Sequence, residues 1–497
     1  MLFFAGGTMN QAAKVHILTS ADHHHLALKI ALLEKQKIPV QVFWNLTTLT
    51  SSFVQQRVST ILLDDARGFE TIVADLKTIL NEPEFSGVRV ILSVSRAGDD
   101  LAGLAMAYQL RDLIALDLEE SEWLERFKFA SSGTKMSFKE PMCQISVFDM
   151  AALRVAGKIS WISDSHLWIE TPLNVAVGAG MRISGRIAAT LGLKTINVTV
   201  EETYKSSLQY RYSQGLKCRW QVGTQAKCTT GEFIHQKIGA ATKPPLKVFM
   251  AVKNPALRQE VIKALKALHI DTKIALNINS LVNEPRMLSP HAILVDYALL
   301  ETTADNLQKM AKTLPPETPL YIFELNDEKY AKAKMLLPQL RPCKKLGAEF
   351  ISEIAKQQEV AGSIELGENA RYLPKDSPFA AINVVIPARL THVHPQQVRF
   401  ATPLLIANYS VIAAEAPLFK STLGSLFVSK VINSYPNSDQ DVPEFPYLID
   451  CTLSGIMAEK RLALSKQMFD IINQAVAKSP LNFEQMQHLV RQWGKDK

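Results

Sequence analysis

The sequence predicts a multidomain α/β-plus-β protein: two doubly wound parallel sheets and two small antiparallel β-barrels, arranged as a tandem repeat. Three observations carry this. First, segments recur at a fixed spacing, which is the mark of a duplicated unit. Second, the front half of each unit alternates strand-like and helix-like stretches, as parallel sheets do. Third, the back half of each unit reads as short alternating strands with few helical faces, as small barrels do.

The repeat is read directly. Ile61-Leu62-Leu63-Asp64 returns as Ile293-Leu294-Val295-Asp296, and Asn45-Leu46-Thr47-Thr48-Leu49 as Asn277-Ile278-Asn279-Ser280-Leu281, both at an offset of 232. Farther on, Thr171-Pro172-Leu173 returns as Thr402-Pro403-Leu404 at an offset of 231.

The elements follow in order. Strands are expected at Lys14–Thr19, Pro39–Trp44, Val58–Leu63, Val88–Ser93 and Asp112–Leu116. Helices are expected between them, with Leu26, Ile30 and Leu33 on one face of the first, then Glu70–Leu80 and Asp99–Leu110. The second copy repeats this with strands at Lys247–Ala251, Thr272–Leu276, His291–Val295 and Leu320–Phe323, and a helix carrying Val261, Leu265 and Leu268. The first barrel is expected from Gln144–Phe148, Ile159–Ile162, Leu167–Glu170, Arg182–Arg186 and Ile196–Glu201. A long helix at Ile456–Ala477 follows the second barrel, with Leu464, Met468, Ile471, Ile472 and Ala475 as its apolar stripe. The boundaries are 13–130 and 246–357 for the α/β modules, 134–240 and 368–480 for the barrels, and 481–497 for a tail helix.

Bulk properties set limits on function. The chain has 497 residues and a net charge of +7, which permits an anionic ligand without demanding nucleic acid. Its five cysteines include no CxxC spacing, so no metal site or disulfide framework is expected. No apolar run reaches the ~20 residues that span a bilayer. The opening MLFFAGG lacks the basic leader of a signal peptide, so a cytoplasmic location is expected.

The α/β modules resemble the receiver domains of bacterial response regulators, which are flavodoxin-like sheets. The resemblance implies an acidic pair holding Mg²⁺, a phosphoacceptor aspartate ending the third strand, a hydroxyl residue ending the fourth and a lysine after the fifth. Asp64 and Ser93 match in the first copy, but Ser20-Ala21 replaces the acidic pair, with Asp22 one place on, and Asp117 replaces the lysine. The second copy keeps Asp296 and offers Lys344 or Lys345, while Lys253-Asn254 replaces the acidic pair and Glu324 lies near the hydroxyl position. Asp64 and Asp296 are therefore read as inactive phosphoacceptor positions.

The barrels resemble PilZ domains, which bind cyclic di-GMP through RxxxR and (D/N)xSxxG motifs. The first copy reads Lys135 and Lys139 at the arginine positions and Trp161, Ser163 and His166 in the second motif. The second copy reads Arg371 and Lys375, then His392, His394 and Gln397. Lysine does not reproduce the planar, bidentate grip of arginine. The resemblance gives Arg371, Lys375, Arg399, His394, Lys135, Lys139 and Ser163 as candidate ligand residues.

Other clusters have plain readings. His23-His24-His25 fits the polar first turn of a helix, since adjacent helical residues diverge. Gly178-Ala179-Gly180 fits a barrel turn. Lys205, Arg211, Lys217 and Arg219, interleaved with Tyr204, Tyr210, Tyr212 and Trp220, fit the solvated side of a barrel strand. GxSxG, HExxH and P-loop motifs are absent. The expected function is that of a non-catalytic signalling adaptor that binds protein partners or itself, with no cofactor and no nucleic acid. The alternative is a cyclic di-GMP receptor using the second barrel.

Overall fold

The computed structural model describes residues 14–132, 143–144, 149–238 and 370–478, apart from 21–23, 56–57, 83–84, 86–87, 96–98, 205–213, 221, 224, 375–376 and 439–442. Of the second α/β module it describes 246–267, 270–275, 292–296, 318–323, 330–331, 334–335 and 340–342.

The first module runs β1 (Val15–Leu18), α1 (Ala27–Lys35), β2 (Val40–Phe43), α2 (Leu46–Gln55), β3 (Thr60–Asp64), α3 (Phe69–Asn81), β4 (Arg89–Val94), α4 (Asp99–Ala107), β5 (Asp112–Ala115) and α5 (Glu120–Ser132). Its sheet order is β2-β1-β3-β4-β5, with every pairing parallel. Burial on both faces explains the apolar run Ile61–Leu63 in β3, whose five residues are all buried. The helices lay apolar stripes on the sheet, as α3 does with Ile72, Leu76 and Ile79.

The next stretch holds β6 (Cys143–Gln144), β7 (Met150–Ile162), β8 (His166–Thr171), β9 (Leu173–Asn174), β10 (Gly180–Gly185), α6 (Arg186–Thr190), β11 (Ile196–Tyr204), β12 (Gln214–Trp220) and α7 (Thr230–Phe233). The second module then gives β13 (Lys247–Ala251), α8 (Pro255–Ala267), β14 (Asp271–Ile274), β15 (Ala292–Asp296), β16 (Leu320–Phe323) and β17 (Leu340–Pro342). Its order, β14-β13-β15-β16-β17, repeats that of the first module. The fifth strand, Leu340–Pro342, is an addition to the expected set. Leu268 lies outside the described residues, as do Asn277–Leu281.

The chain ends with β18 (Arg371–Tyr372), β19 (Ala381–His394), β20 (Gln397–Thr402), β21 (Leu405–Ile406), β22 (Val411–Glu415), β23 (Phe427–Pro436), β24 (Tyr447–Leu453) and α9 (Ala458–Lys478). Leu464 and Met468 of α9 are buried in the barrel core, while Leu462 and Phe469 are exposed. The proposed tail helix at 481–497 lies outside the described residues.

Two small antiparallel barrels were expected; the strands form two closed circuits that are joined into one continuous 12-stranded sheet. The long first strands, β7 and β19, pair antiparallel and belong to both halves. One closed circuit runs β7-β8-β12-β11-β10-β19 and returns to β7. The other runs β19-β20-β24-β23-β22-β7 and returns to β19. Each barrel is thus closed by the first strand of the other copy. The stretch read as a short strand at Ile159–Ile162 is the end of the 13-residue β7, whose earlier residues serve the partner barrel.

The registers define a pseudo-twofold axis. Arg154 pairs with Val385 and Asn174 with Leu405; 385 minus 154 and 405 minus 174 both give 231, so each residue faces its own repeat equivalent. Pairings and irregularities repeat as well. Gly180 opposite Thr199 becomes Val411 opposite Lys430, and the β7–β8 bulge at Ile159/Trp161 recurs at Leu390/His392. Self-complementary pairing of this kind is the geometry of a symmetric homodimer, here formed within one chain.

Candidate functional site

The carboxyl edge of the first parallel sheet is where ligands of this topology bind. Asp64, ending β3, is wholly buried and its carboxylate is already engaged. Thr19 Oγ1 donates to Asp64 Oδ2 at 2.5 Å, His25 Nε2 lies 2.8 Å from the same oxygen, and Ala66 N donates to Oδ1 at 3.2 Å. His25 lies in the helical turn His24–Leu26 that leads into α1, as expected, and reaches Asp64 from there, while His23 lies outside the described residues. Asp65 is held by Ser95 through its backbone N at 2.8 Å and its hydroxyl at 2.7 Å. Arg67 ties the surrounding loops, donating to Asp75, to Thr19 O at 2.8 Å and to Trp44 O at 2.9 Å.

This network uses the groups that a phosphoacceptor would need free. A nucleophilic carboxylate needs an open lone pair, and Mg²⁺ needs further oxygen ligands. Ser93 is buried, and its Oγ has no hydrogen-bond partner among the described residues. Asp117, at the lysine position, accepts a hydrogen bond from Ala458 N and lies 3.7 Å from Arg461 Nη2. That corner is committed to holding the start of α9. In the second copy Asp296 is buried and accepts from Lys253 N at 3.1 Å. Asp22, Glu324, Lys344 and Lys345 lie outside the described residues. No cluster of three or more metal-ligating side chains occurs among the described residues.

The barrel candidates do not gather as the sequence suggests. Arg371 precedes the second barrel in the chain but pairs with Ile162 of β7, on the first barrel. Its neighbour Tyr372 sits edge-on to Trp161 at 5.4 Å, and Leu373 N donates to Ser160 O at 2.9 Å. Reciprocally, β6 precedes the first barrel but pairs with His392 and Val393 of β19. The flanking segments cross over, because the pseudo-dyad places each beside the other copy's first strand.

Arg371 is thereby separated from Arg399 and His394 and brought to the hairpin that carries Ser163. Its Nε is buried with no partner among the described residues. Arg399 is tied to Asp450 at 2.7 Å, and Tyr435 donates to the same carboxylate oxygen at 3.3 Å. His394 Nδ1 accepts from Gln396 N at 3.2 Å in the β19–β20 turn. Ser163 is buried in the β7–β8 turn, where its hydroxyl accepts from His166 N at 3.0 Å. Lys135, Lys139 and Lys375 lie outside the described residues, as do Lys205 and Arg211. Lys217 and Arg219 pair with Glu202 and Glu201 on β11, which confirms a solvated strand face.

The most elaborate polar cluster was missed from sequence. It lies where the first α/β module meets the second barrel. Asp112, at the start of β5, accepts from Arg126 Nη2 at 3.0 and 3.2 Å and from Ser454 Oγ at 2.9 Å. Lys430 of β23 is fully buried, donates to Arg111 O and sits over the Phe129 ring at 4.8 Å. Burial holds its amine well below the ordinary lysine range; Arg111, Arg126 and Arg89 push the same way, and Asp112 opposes. Arg111 stacks on Tyr409 at 4.1 Å, and burial pushes its guanidinium down to about 10. The signal in the sequence was Lys430 set among the apolar residues Phe427, Val428, Val431 and Ile432 of one strand.

No family model and no curated protein matches the chain. Among solved structures it is similar to one described as a two-component system response regulator/GGDEF domain protein. The identity is 9%, the coverage 70% of this chain and 99% of that one, and the TM-score 0.19. A second structure of the same description aligns at 10% identity, again over 70% and 99%, with a TM-score of 0.19. A luciferase-like enzyme from the mealworm Zophobas morio aligns at 8% identity over 66% of this chain and 58% of that one, with a TM-score of 0.17. Superpositions this loose carry no argument; the α/β-plus-β fold rests on the strand orders themselves.

Proposed function

We propose that the chain is a non-catalytic signalling adaptor, built from two receiver-like modules and two PilZ-like barrels, that works through contacts with protein partners. The observation that carries this reading is the engaged state of Asp64, whose carboxylate already accepts from Thr19 and Ala66 and contacts His25. A module that retains its core after its reactive groups are tied up keeps its surfaces for recognition. No helix among the described residues is long and apolar enough to cross a membrane. The test is incubation with acetyl phosphate and Mg²⁺, followed by intact mass. The unmodified mass is expected; a phosphate adduct that disappears in Asp64→Asn would overturn the proposal.

A cyclic di-GMP receptor is the second reading, and the placement of Arg371 relocates it. Because Arg371 lies beside Ile162, a dinucleotide site would form at the first barrel, between Arg371 and the Ser163 turn. Calorimetry with about 100 µM dinucleotide reports binding tighter than roughly −5 to −6 kcal/mol. Heat that is lost in Arg371→Ala and kept in Arg399→Ala would favour this reading. Absence of heat would end it.

A further inference from the structure

The pseudo-twofold axis relates two barrel faces that differ in what covers them. On the second barrel, Val411, Ala413 and Val428, with Ala156 of β7, are buried together with Leu101, Leu104 and Leu110 of the first α/β module. Lys430 completes that face and donates to the backbone of Arg111. Moving each position back by the repeat offset of 231, read from the pairings, gives Gly180, Arg182, Asn197, Thr199 and, from Ala156 forward, Pro387. All five are exposed, and all five line one cleft of about 410 Å³. The open cleft is the symmetry counterpart of the face to which the first module is docked.

We propose that this face is a reversible docking site for the second α/β module, residues 246–342 of the same chain. The symmetry that closes the barrels selects the occupant. The first module precedes the first barrel and packs on the second; the same operation sends the second module, which precedes the second barrel, to the first. Its tether keeps it at high effective concentration near that face. The side chains set the strength of the contact. Where the covered face presents Val411, Ala413 and Val428, the open one presents Gly180, Arg182 and Asn197. Apolar area is what drives permanent burial. Its loss converts a fixed interface into one that opens and closes, so one module is anchored while its twin, whose Lys266 pairs with Glu82 of the first module in this structure, exchanges between that contact and the open face.

The inference goes beyond the adaptor reading and is tested separately from it. A photo-crosslinking residue, benzoylphenylalanine, is placed at the exposed Asn197 position in the full chain. Illumination is expected to give an intrachain product at monomer mass, with the crosslink mapped to peptides from 246–342. The double variant Gly180→Val/Arg182→Ala, which restores apolar side chains on the exposed face, is expected to raise that yield at least threefold. A product at twice the chain mass would assign the face to a second copy and overturn the proposal. Absence of any product with 246–342, or a yield unmoved by the double variant, would overturn it as well.

Discussion

Phe400→Ala separates two pictures of the barrel pair, one folding unit or two. Phe400 lies on β20 of the second barrel with no exposed surface. It belongs to a core cluster that runs without a break through Leu153, Val155, Val384 and Ile386 of the shared strands to Leu216 and Trp220 of the first barrel. Truncating a buried phenylalanine costs about 3–5 kcal/mol, through lost transfer energy and the cavity left behind. Because β7 and β19 are staves of both circuits, opening the second barrel removes two staves from the first. The cost should therefore appear in both. Amide exchange in β12 of the first barrel and β24 of the second is expected to accelerate together by about a hundred- to several-thousand-fold, since each 1.36 kcal/mol is tenfold. The measurement is peptide-resolved exchange by mass spectrometry at constant pH. If β24 accelerates while β12 keeps its wild-type protection, the barrels open independently and the shared-strand account of their stability is wrong.

Further predictions concern buried charge. His16 on β1 is almost wholly buried against Phe43, and burial, with Lys14 nearby, lowers its pKa to about 4 from 6.5. The unfolded chain takes up the proton first, so the first module should lose about 3 kcal/mol as pH falls from 6.5 to 4. His16→Phe should flatten that part of a pH–stability profile, and a profile unchanged by the substitution would discount the buried neutral imidazole. Asp112→Asn removes the carboxylate that offsets Arg126 and Lys430, and should weaken the module–barrel interface by about 3–5 kcal/mol. Faster exchange in α4 and β5 is the readout, and no change there would show the carboxylate to be dispensable. For Lys430 the folded pKa lies below the unfolded value, so its charging penalty is full at low pH and shrinks as pH rises toward 10.5. The interface should tighten over that range in the wild type and not in Lys430→Met.

Much of the architecture was legible because it depends on local periodicity. The apolar runs Ile61–Leu63 and Ile293–Val295, each ending in an aspartate, marked central parallel strands, since strands buried on both faces are predominantly apolar. Alternation in 196–201 marked a barrel strand for the complementary reason, one face being wet. Site residues were less legible. Asp64 was found by its position at a strand end, but its partners Thr19 and His25 come from the residue after β1 and a separate helical turn, 45 and 39 residues away. Arg371 is visible as a motif residue preceding the second barrel, yet it pairs with Ile162 beside the first, because chain order does not fix spatial order.

The sequence by itself determined the duplication, the alternation of α/β and β-rich halves, and the placement of most strands. These follow from side-chain patterns only a few residues long, which each segment carries wherever it ends up. The tertiary structure alone decided that the barrels share β7 and β19, that the flanking segments cross, and that one barrel face is covered while its counterpart is open. A strand's hydrogen-bonding edges are made of backbone, identical for every sequence, so the pattern that predicts a strand does not name its neighbour. Partner choice in this chain came from packing over the whole core.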